Sequence, residues 1–143
     1  MIILDTKVLS EALKLAPSER VMRWLAGQET TAVYITTITQ AEMLYGVEVL
    51  PAGRRRSRLS AELSRVFSED FRGRILPFDE ESARAFATIV ATRRAAGRPI
   101  SQSNAMIASV ARSHGAAVAT RNAGDLQNYG VRVVNPWAAD QPE

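Results

Sequence analysis

Hydrophobic positions along the chain form short continuous runs, separated by longer segments in which apolar residues recur three and four positions apart. The runs cover residues 1–4, 32–38, 74–78, 116–120 and 131–134. Short apolar or β-branched runs are typical of buried strands, and the spacing between them is typical of helices with one buried face. Strands that alternate with helices predict a three-layer α/β/α sandwich around a central, mostly parallel sheet of about five strands.

Capping residues and glycines mark the ends of several predicted helices. Ser18 and Asp79 are suitable N-caps, and a glycine follows three of the periodic segments. The segments are residues 19–27, 80–96 and about 103–114, and the glycines are Gly27, Gly97 and Gly115. A basic amphipathic helix is predicted after the break at 51–53. We expect one domain over residues 1–137 and a loose tail over 138–143.

Composition narrows the class of protein. A chain of 143 residues with 46% hydrophobic side chains is long enough for one core and too short to suggest two. The chain has no cysteine, so disulfides and thiolate metal sites are excluded, and any metal must use other ligands. No leader and no apolar segment of membrane-spanning length is evident, so we expect a soluble, cytoplasmic protein with no membrane partner.

The charge comes mostly from arginine. The net charge is +3, and 16 of the 18 basic residues are arginine. Arginine binds phosphates well, so its clusters could steer an RNA backbone, or they could be solvated helix faces. The clusters are Arg54-Arg55-Arg56 with Arg58, Arg72 with Arg74, and Arg93-Arg94 with Arg98.

Polar residues stand where predicted strands end or helices begin, which is where parallel α/β sheets bind ligands. Asp5 ends the first strand and could also cap the following helix. Glu42 lies on a helical stripe with Ile38 and Tyr45, so it is either a ligand or half of a buried ion pair with an arginine. Asn104 begins the helix over 103–114, where it could be a capping residue. A further acid or amide emerges after the fourth strand, in residues 120–125.

These positions fall within an ordered set of motifs. In order they are Leu4-Asp5-Thr6, then Thr39-Gln40-Ala41-Glu42 followed by Gly46, then Ile100 with Ile107-Ala108, then Ala119-Thr120-Arg121-Asn122 with Asp125, and finally Asn135-Pro136-Trp137. The series resembles the signature of PIN-domain toxins of the VapC family over nearly the whole chain. The stretch from Gly73 to Asp79 resembles the FitB branch of that family.

The resemblance implies a toxin of a toxin–antitoxin system that acts as a metal-dependent ribonuclease. It implies catalytic residues Asp5, Glu42, Asn104, Asn122 and Asp125, with Mg²⁺ or Mn²⁺ held by Asp5, Glu42 and position 104. It further implies roles for Thr6, Thr120 and Arg121 in supporting the ligands or contacting phosphate. The implied partners are an RNA substrate, a second copy in a homodimer and a VapB/FitA-like antitoxin, through which operator DNA is bound.

The chain departs from the family pattern at three positions. Lys7 replaces an asparagine, Asn104 replaces an aspartate, and Asn122 stands where FitB-like members often have aspartate. Asparagine at 122 is common in relatives with an aspartate three residues later, as Asp125 is here. The first two changes remove one negative charge and add one positive charge, so we expect weak metal binding and slow or absent cleavage.

Two other functions fit parts of the pattern. A PIN-domain protein without catalytic activity could act through antitoxin binding and operon repression alone, and the apolar residues Val21, Trp24 and Leu25, with Val47 and Leu50, could form a dimer or antitoxin surface. A phosphoacceptor receiver domain also has an acid after its first strand, but it needs a second acid beside Asp5 that the chain lacks.

Overall fold

The computed structural model describes residues 1–126 and 130–138 of the chain. The strands are β1 (Ile2–Leu4), β2 (Val33–Thr36), β3 (Ile75–Leu76), β4 (Ala117–Ala119) and β5 (Arg132–Val134). The helices are α1 (Thr6–Ala12), α2 (Glu19–Ala26), α3 (Thr37–Glu48), α4 (Arg54–Arg65), α5 (Glu80–Ala95), α6 (Gln102–Ser113) and α7 (Ala123–Leu126). A 3₁₀ turn covers Thr30–Ala32, and a π-helical turn, Val66–Asp70, follows α4.

Within these residues, five parallel strands form one sheet in the order β3-β2-β1-β4-β5. The chain moves from β1 outward through β2 to β3, and then returns to the other side of β1 to add β4 and β5. The strand order therefore reverses between β1 and β4. Ligands of open parallel sheets bind in the crevice at such a reversal, outside the carboxyl ends of the strands.

Each face of the sheet packs on its own apolar core, which gives the predicted three-layer arrangement. Side chains alternate along β1, so Ile3 packs with α5 and α6 residues such as Ile89 and Ile107 on one face. Leu4 packs on the opposite face with residues of α1 and α2, such as Val8 and Val21. The predicted fold class is confirmed.

The ends of two strands differ from the sequence prediction. The second strand was expected over residues 32–38, but it ends at Thr36, whose Oγ1 accepts a hydrogen bond from the backbone N–H of Thr39 at 3.2 Å and so caps α3. The third strand was expected over 74–78 but is shorter, because Pro77 has no N–H with which to continue the ladder.

The predicted helix ends agree with the structure to within about a residue. Gly97 and Gly115 take the left-handed conformation expected of glycine after a helix, with φ of 69° and 63°.

Two of the arginine clusters contain structural rather than free side chains. Arg93 is buried, and it donates from Nε to the carbonyl of Arg98 at 2.7 Å and from Nη2 to the carbonyl of Pro99 at 3.4 Å. Arg74 donates to the carbonyls of Thr30, Val33 and Asp70. The interpretation of these two arginines as RNA-steering groups or as solvated residues is therefore wrong, since both hold loops in place.

The proposed apolar partner surface is also corrected. Val21 is fully buried, Val47 is buried, and Trp24 and Leu25 pack against the core on the α1 and α2 side of the sheet. Among the described residues, the exposed large apolar side chains are Met1, Leu15, Met22, Leu44, Tyr45 and Val49.

Of the predicted tail, residues 139–143 lie outside the described residues. No helix in the described part of the chain is long and apolar enough to cross a membrane.

Candidate active site

Asp5 lies at the point where the strand order reverses. Its backbone N–H continues the β1–β4 ladder by donating to the carbonyl of Ala119 at 3.0 Å. Its carboxylate accepts two further hydrogen bonds, from the hydroxyl of Thr120 to Oδ2 at 2.5 Å and from the backbone N–H of Val8 to Oδ1 at 3.1 Å. Asp5 therefore caps α1, as one interpretation of the sequence proposed, and also pairs with Thr120, the residue that follows β4.

Burial raises the pKa of the Asp5 carboxyl above its ordinary value. The side chain is 4% exposed, and removal of water disfavours the charged form. The hydrogen bonds from Thr120 and Val8 act in the opposite direction but do not cancel this effect. A carboxylate whose burial outweighs the attraction of its nearest cation, here Lys7, destabilises the fold, and such groups are typical of functional sites.

Glu42 is connected to the same edge of the sheet through Thr6, the residue after Asp5. The Thr6 hydroxyl donates to Glu42 Oε1 at 2.6 Å, and it lies 2.9 Å from the hydroxyl oxygen of Thr39. A hydroxyl has one proton, so Thr39 must donate to Thr6 while Thr6 donates to the carboxylate. The chain Thr39–Thr6–Glu42 fixes the orientation of the half-buried Glu42, and an arginine partner is not needed to satisfy it.

The structure brings some of the remaining predicted residues to this edge through their backbones. The backbone N–H of Asn122 donates to Thr120 Oγ1 at 3.1 Å, so this hydroxyl accepts from Asn122 while it donates to Asp5. Arg121 follows Thr120 and is exposed. Asp125 lies within α7, but its side chain is outside the part of the structure that is described.

Asn104 is not the capping residue of its helix. Ser101 is the N-cap of α6 and accepts from the backbone N–H of Asn104 at 3.3 Å. Asn104 is half-buried in the first turn of α6, and it precedes Ile107 and Ala108, both of which are buried. Among the described contacts its side-chain amide has no hydrogen bond, so it is available to an incoming group.

Sequence reasoning gave Thr39 no role, although this residue is fully buried and completes the hydrogen-bond chain to Glu42. The signal for it was weak. Thr39 follows a β-branched run, and threonine is common both in strands and near the beginning of helices. Its function follows only from the packing of α3 against α1, which brings two residues 33 positions apart into contact.

The side chains at this edge are of the types that bind divalent cations, but together they carry little negative charge. Carboxylates, amides and hydroxyls all offer the oxygen ligands that Mg²⁺ and Mn²⁺ prefer. Among side chains that the structure describes, however, no three of the types His, Cys, Asp and Glu lie close enough together to hold a metal ion. Asp5 and Glu42 are the acids that the described hydrogen bonds bring to this edge, and no contact in the described part of the structure joins Asn104 to either of them.

The raised pKa of Asp5 predicts an unusual pH dependence of stability for the metal-free protein. Below its ordinary pKa, Asp5 is protonated in both folded and unfolded chains. As the pH rises, the unfolded chain ionises first, so this residue lowers the free energy of unfolding until the folded pKa is passed. We expect Asp5→Asn to gain stability relative to the native chain as the pH rises above the ordinary pKa of an aspartate, and the gain to level off once the folded pKa is passed. Urea unfolding in EDTA at several pH values measures the free energy of unfolding of both proteins. A constant difference between the two proteins across this pH range would contradict the prediction.

Comparisons with known proteins agree with this architecture. The family model described as "PIN domain" matches residues 2–131. Toxin FitB of Neisseria gonorrhoeae is 40% identical over 137 residues, which are 96% of this chain and 99% of that protein. VapC ribonuclease Y4jK of Sinorhizobium fredii is 36% identical over 137 residues, 96% of this chain and 98% of that protein.

Solved structures show the same likeness. A structure of FitAB bound to an IR36 DNA fragment contains a chain with a TM-score of 0.93 and 38% identity, and the match covers 100% of both chains. Sequence relatives and structural neighbours therefore agree over the same length of chain. The chain belongs to the PIN domain family and, within it, to the toxins of the VapC and FitB kind.

Proposed function

We propose that this chain is the toxin of a toxin–antitoxin pair and that it cleaves RNA with Mg²⁺ or Mn²⁺ at the carboxyl edge of its sheet. The observation that carries the proposal is the buried Asp5 carboxylate at the strand-order reversal, with Glu42 linked to the neighbouring Thr6. PIN-domain ribonucleases are generally metal-dependent, and VapC ribonuclease Y4jK is named for this activity. The cytoplasm, where RNA and reduced proteins occur, is the compartment that this function requires.

Each described residue has a defined task in this proposal. Asp5 and Glu42 would hold the cation, with the Asn104 amide oxygen as a neutral third ligand. A divalent cation at this place supplies charge neutralisation for the phosphodiester and an activated water. Thr120 holds Asp5 in its orientation, and Thr6, itself fixed by Thr39, holds Glu42. Residues that orient metal ligands in this way commonly affect affinity or activity by about 10–100-fold.

Two residues make this site weaker than the family pattern implies. Asn104 contributes no charge where an aspartate is usual, and the ammonium of Lys7 lies near enough to Asp5 to lower the pKa of that carboxyl, although burial has the larger effect. A positive charge beside a metal ligand opposes the binding of a dication. We infer that the native chain binds its metal poorly and cleaves RNA slowly.

A groove beside the site offers a place for the antitoxin. It lies between α1, α3 and α4, has a volume of about 740 Å³, and includes Glu42 at one side. Leu13, Met43 and Leu59 give it an apolar floor, and charges of both signs line it, with Arg55 and Arg58 beside Glu62. An amphipathic antitoxin segment fits such a groove by burying its apolar side chains. The FitAB–DNA structure shows that the neighbouring toxin is found with a partner protein and DNA.

Incubation of the purified chain with short single-stranded RNA tests the nuclease proposal. We expect slow cleavage in Mn²⁺ that is lost in EDTA and falls by about tenfold in Asp5→Asn, which is modest because the native site is already weak. Glu80→Gln, at an exposed glutamate of α5, is the control and retains the native rate. Cleavage that persists in EDTA, or that is equal in Asp5→Asn and the native chain, would show that the activity does not come from this site.

Asn104 also favours a second function, in which the chain has no nuclease activity and acts through antitoxin binding and operon repression. This role requires the fold and the groove but not the metal. One experiment distinguishes the two functions. A chain that forms a stable antitoxin complex on operator DNA, but leaves RNA intact at high Mn²⁺, has only the second function.

A homodimer is expected with either function. The surface that we propose for it is formed by the exposed apolar residues Leu44, Tyr45 and Val49 at the end of α3.

A further inference from the structure

A second, smaller crevice lies beside the carboxyl edge of the sheet, on the side of α1 that carries Lys7. Its volume is about 250 Å³. It is lined by Thr6, Lys7, Ser10, Glu11, Lys14, Arg121 and Trp137. We define these residues as the basic crevice. Its walls begin directly at the candidate active site, because Thr6 and Lys7 follow Asp5 and Arg121 follows Thr120.

The charge of the basic crevice is positive even after internal pairing. Among the described residues that line the crevice, Glu11 is the one acid. Its carboxylate is already occupied, since it accepts from Lys14 Nζ at 2.9 Å and from the backbone N–H of Ser18 at 2.9 Å. The bond from Lys14 is the main reason why the pKa of Glu11 is lowered. The charge of Arg121 also acts on Glu11, and that of Lys7 acts on Asp5 outside the crevice. With three cations and one acid among its described residues, the crevice keeps a net positive charge.

Arg121 is held in position by an aromatic support. Its guanidinium carbon lies 4.9 Å from the centre of the Trp137 ring, a cation–π arrangement that orients the group while leaving its N–H donors free to bind. The backbone of the tryptophan is itself fixed, because its backbone N–H donates to Asn135 Oδ1 at 3.0 Å and its backbone carbonyl accepts from Arg20 Nη1 at 3.3 Å. An arginine that is held in this way loses less side-chain entropy when it binds an anion.

We propose that the basic crevice binds a backbone phosphate of single-stranded RNA next to the bond to be cleaved, with Lys7 and Arg121 as the phosphate-binding residues. The inference rests on the proposed ribonuclease function. In this proposal Lys7 helps to bind the RNA, although its positive charge weakens metal binding. The hydroxyl of Ser10 supplies a further donor on the same wall.

The dimensions and the charge favour a phosphate chain over an acidic peptide. The crevice has about a third of the volume of the groove between α1, α3 and α4, which is too little for a helix but enough for a phosphodiester and its sugar. Lys7 lies two residues after Asp5 and Arg121 follows Thr120, the hydrogen-bond partner of Asp5, so a strand that places one phosphate at Asp5 would place its neighbour in this crevice. Binding to phosphates through lysine and arginine carries a defined dependence on salt, which an experiment can measure.

Binding of a fluorescent single-stranded RNA of about a dozen nucleotides, measured in EDTA at several KCl concentrations, tests the proposal without any need for cleavage. For Lys7→Gln and for Arg121→Gln we expect the affinity at about 0.1 M salt to fall about fivefold, and the slope of log affinity against log salt to decrease by about 0.7. For the double variant we expect this slope to decrease by about 1.4. Arg132→Gln is the matched control, because Arg132 is an exposed arginine at the opposite end of the parallel strands.

The outcomes separate clearly. A loss confined to Lys7→Gln and Arg121→Gln supports the proposal, whereas an equal loss in Arg132→Gln, or an unchanged slope in the double variant, overturns it. Polyglutamate of matched charge that displaces the RNA as efficiently as unlabelled RNA also overturns it, in favour of an acidic peptide. The binding assay contains EDTA, so its result does not depend on cleavage. If the chain binds RNA in this assay but cleaves no RNA in a separate assay with Mn²⁺, the result counts against the ribonuclease function and not against the basic crevice.

Discussion

Combining Asn104→Asp with Lys7→Asn is expected to tighten Mn²⁺ binding by about 100-fold and, at saturating RNA, to raise the rate of cleavage to a similar extent. At about 4 Å and an effective dielectric of about 20, one pair of unit charges is worth roughly 4 kcal/mol, and a dication doubles this value. If screening and desolvation leave about 1.4 kcal/mol for each of the two changes, each contributes a factor of about ten. Isothermal titration with Mn²⁺ measures the affinity directly.

A charge added nearby but outside the site is the control for this prediction. Gln102 is exposed in the same first turn of α6, so Gln102→Glu adds an equal charge that solvent and salt screen. We expect its effect on Mn²⁺ affinity to be less than about threefold. Equal Mn²⁺ affinity in the native chain and the double variant would show that Lys7 and Asn104 do not weaken the site.

The order of strands and helices could be predicted because the hydrophobic pattern is consistent along the chain. The sheet order could not be read from the same pattern, since every strand is short and buried, and nothing in its composition states which neighbours it has. The order matters most between β1 and β4. It alone explains why Asp5 meets Thr120, a residue 115 positions away.

The site was predicted less completely than the fold. A resemblance to the family named Asp5, Glu42, Thr6 and Thr120, and the structure shows hydrogen bonds that join them in two pairs. Their roles as ligands and supports remain predictions, as do those of Asn104, Asn122 and Asp125. What the sequence could not supply was the direction of each hydrogen bond, because the single proton of Thr6 is assigned only once Thr39 is known to lie beside it.

The arginine clusters show why a charge pattern is a poor guide to the environment of one residue. Arg93 and Arg94 are adjacent and were interpreted together, but α5 turns them to different sides. Arg93 is 3% exposed and faces the interior, while Arg94 is exposed. The helical period separates neighbours by about 100°, so one residue of an Arg-Arg pair can bind backbone carbonyls while the other is solvated.

Replacement of the buried arginine is therefore expected to be costly. Arg93→Met removes the donors to the carbonyls of Arg98 and Pro99, which lie in the segment that leads from α5 to the first turn of α6. Hydrogen bonds from a charged group contribute about 1.5–3 kcal/mol each, so we expect a loss of about 3 kcal/mol or more in the free energy of unfolding. Urea unfolding of the metal-free protein measures it.

Arg94→Met is the matched control, because it removes the same charge from the next position on the same helix. Arg94 is exposed, so we expect a change within about 0.5 kcal/mol. Arg93→Lys distinguishes the hydrogen bonds from the charge, since lysine keeps the charge but cannot reproduce the donor geometry of the guanidinium, and it should recover less than half of the lost stability. Equal stabilities for Arg93→Met and Arg94→Met would show that the contacts of Arg93 with the α5–α6 segment contribute nothing to folding. A full recovery in Arg93→Lys would assign the stabilisation to charge alone.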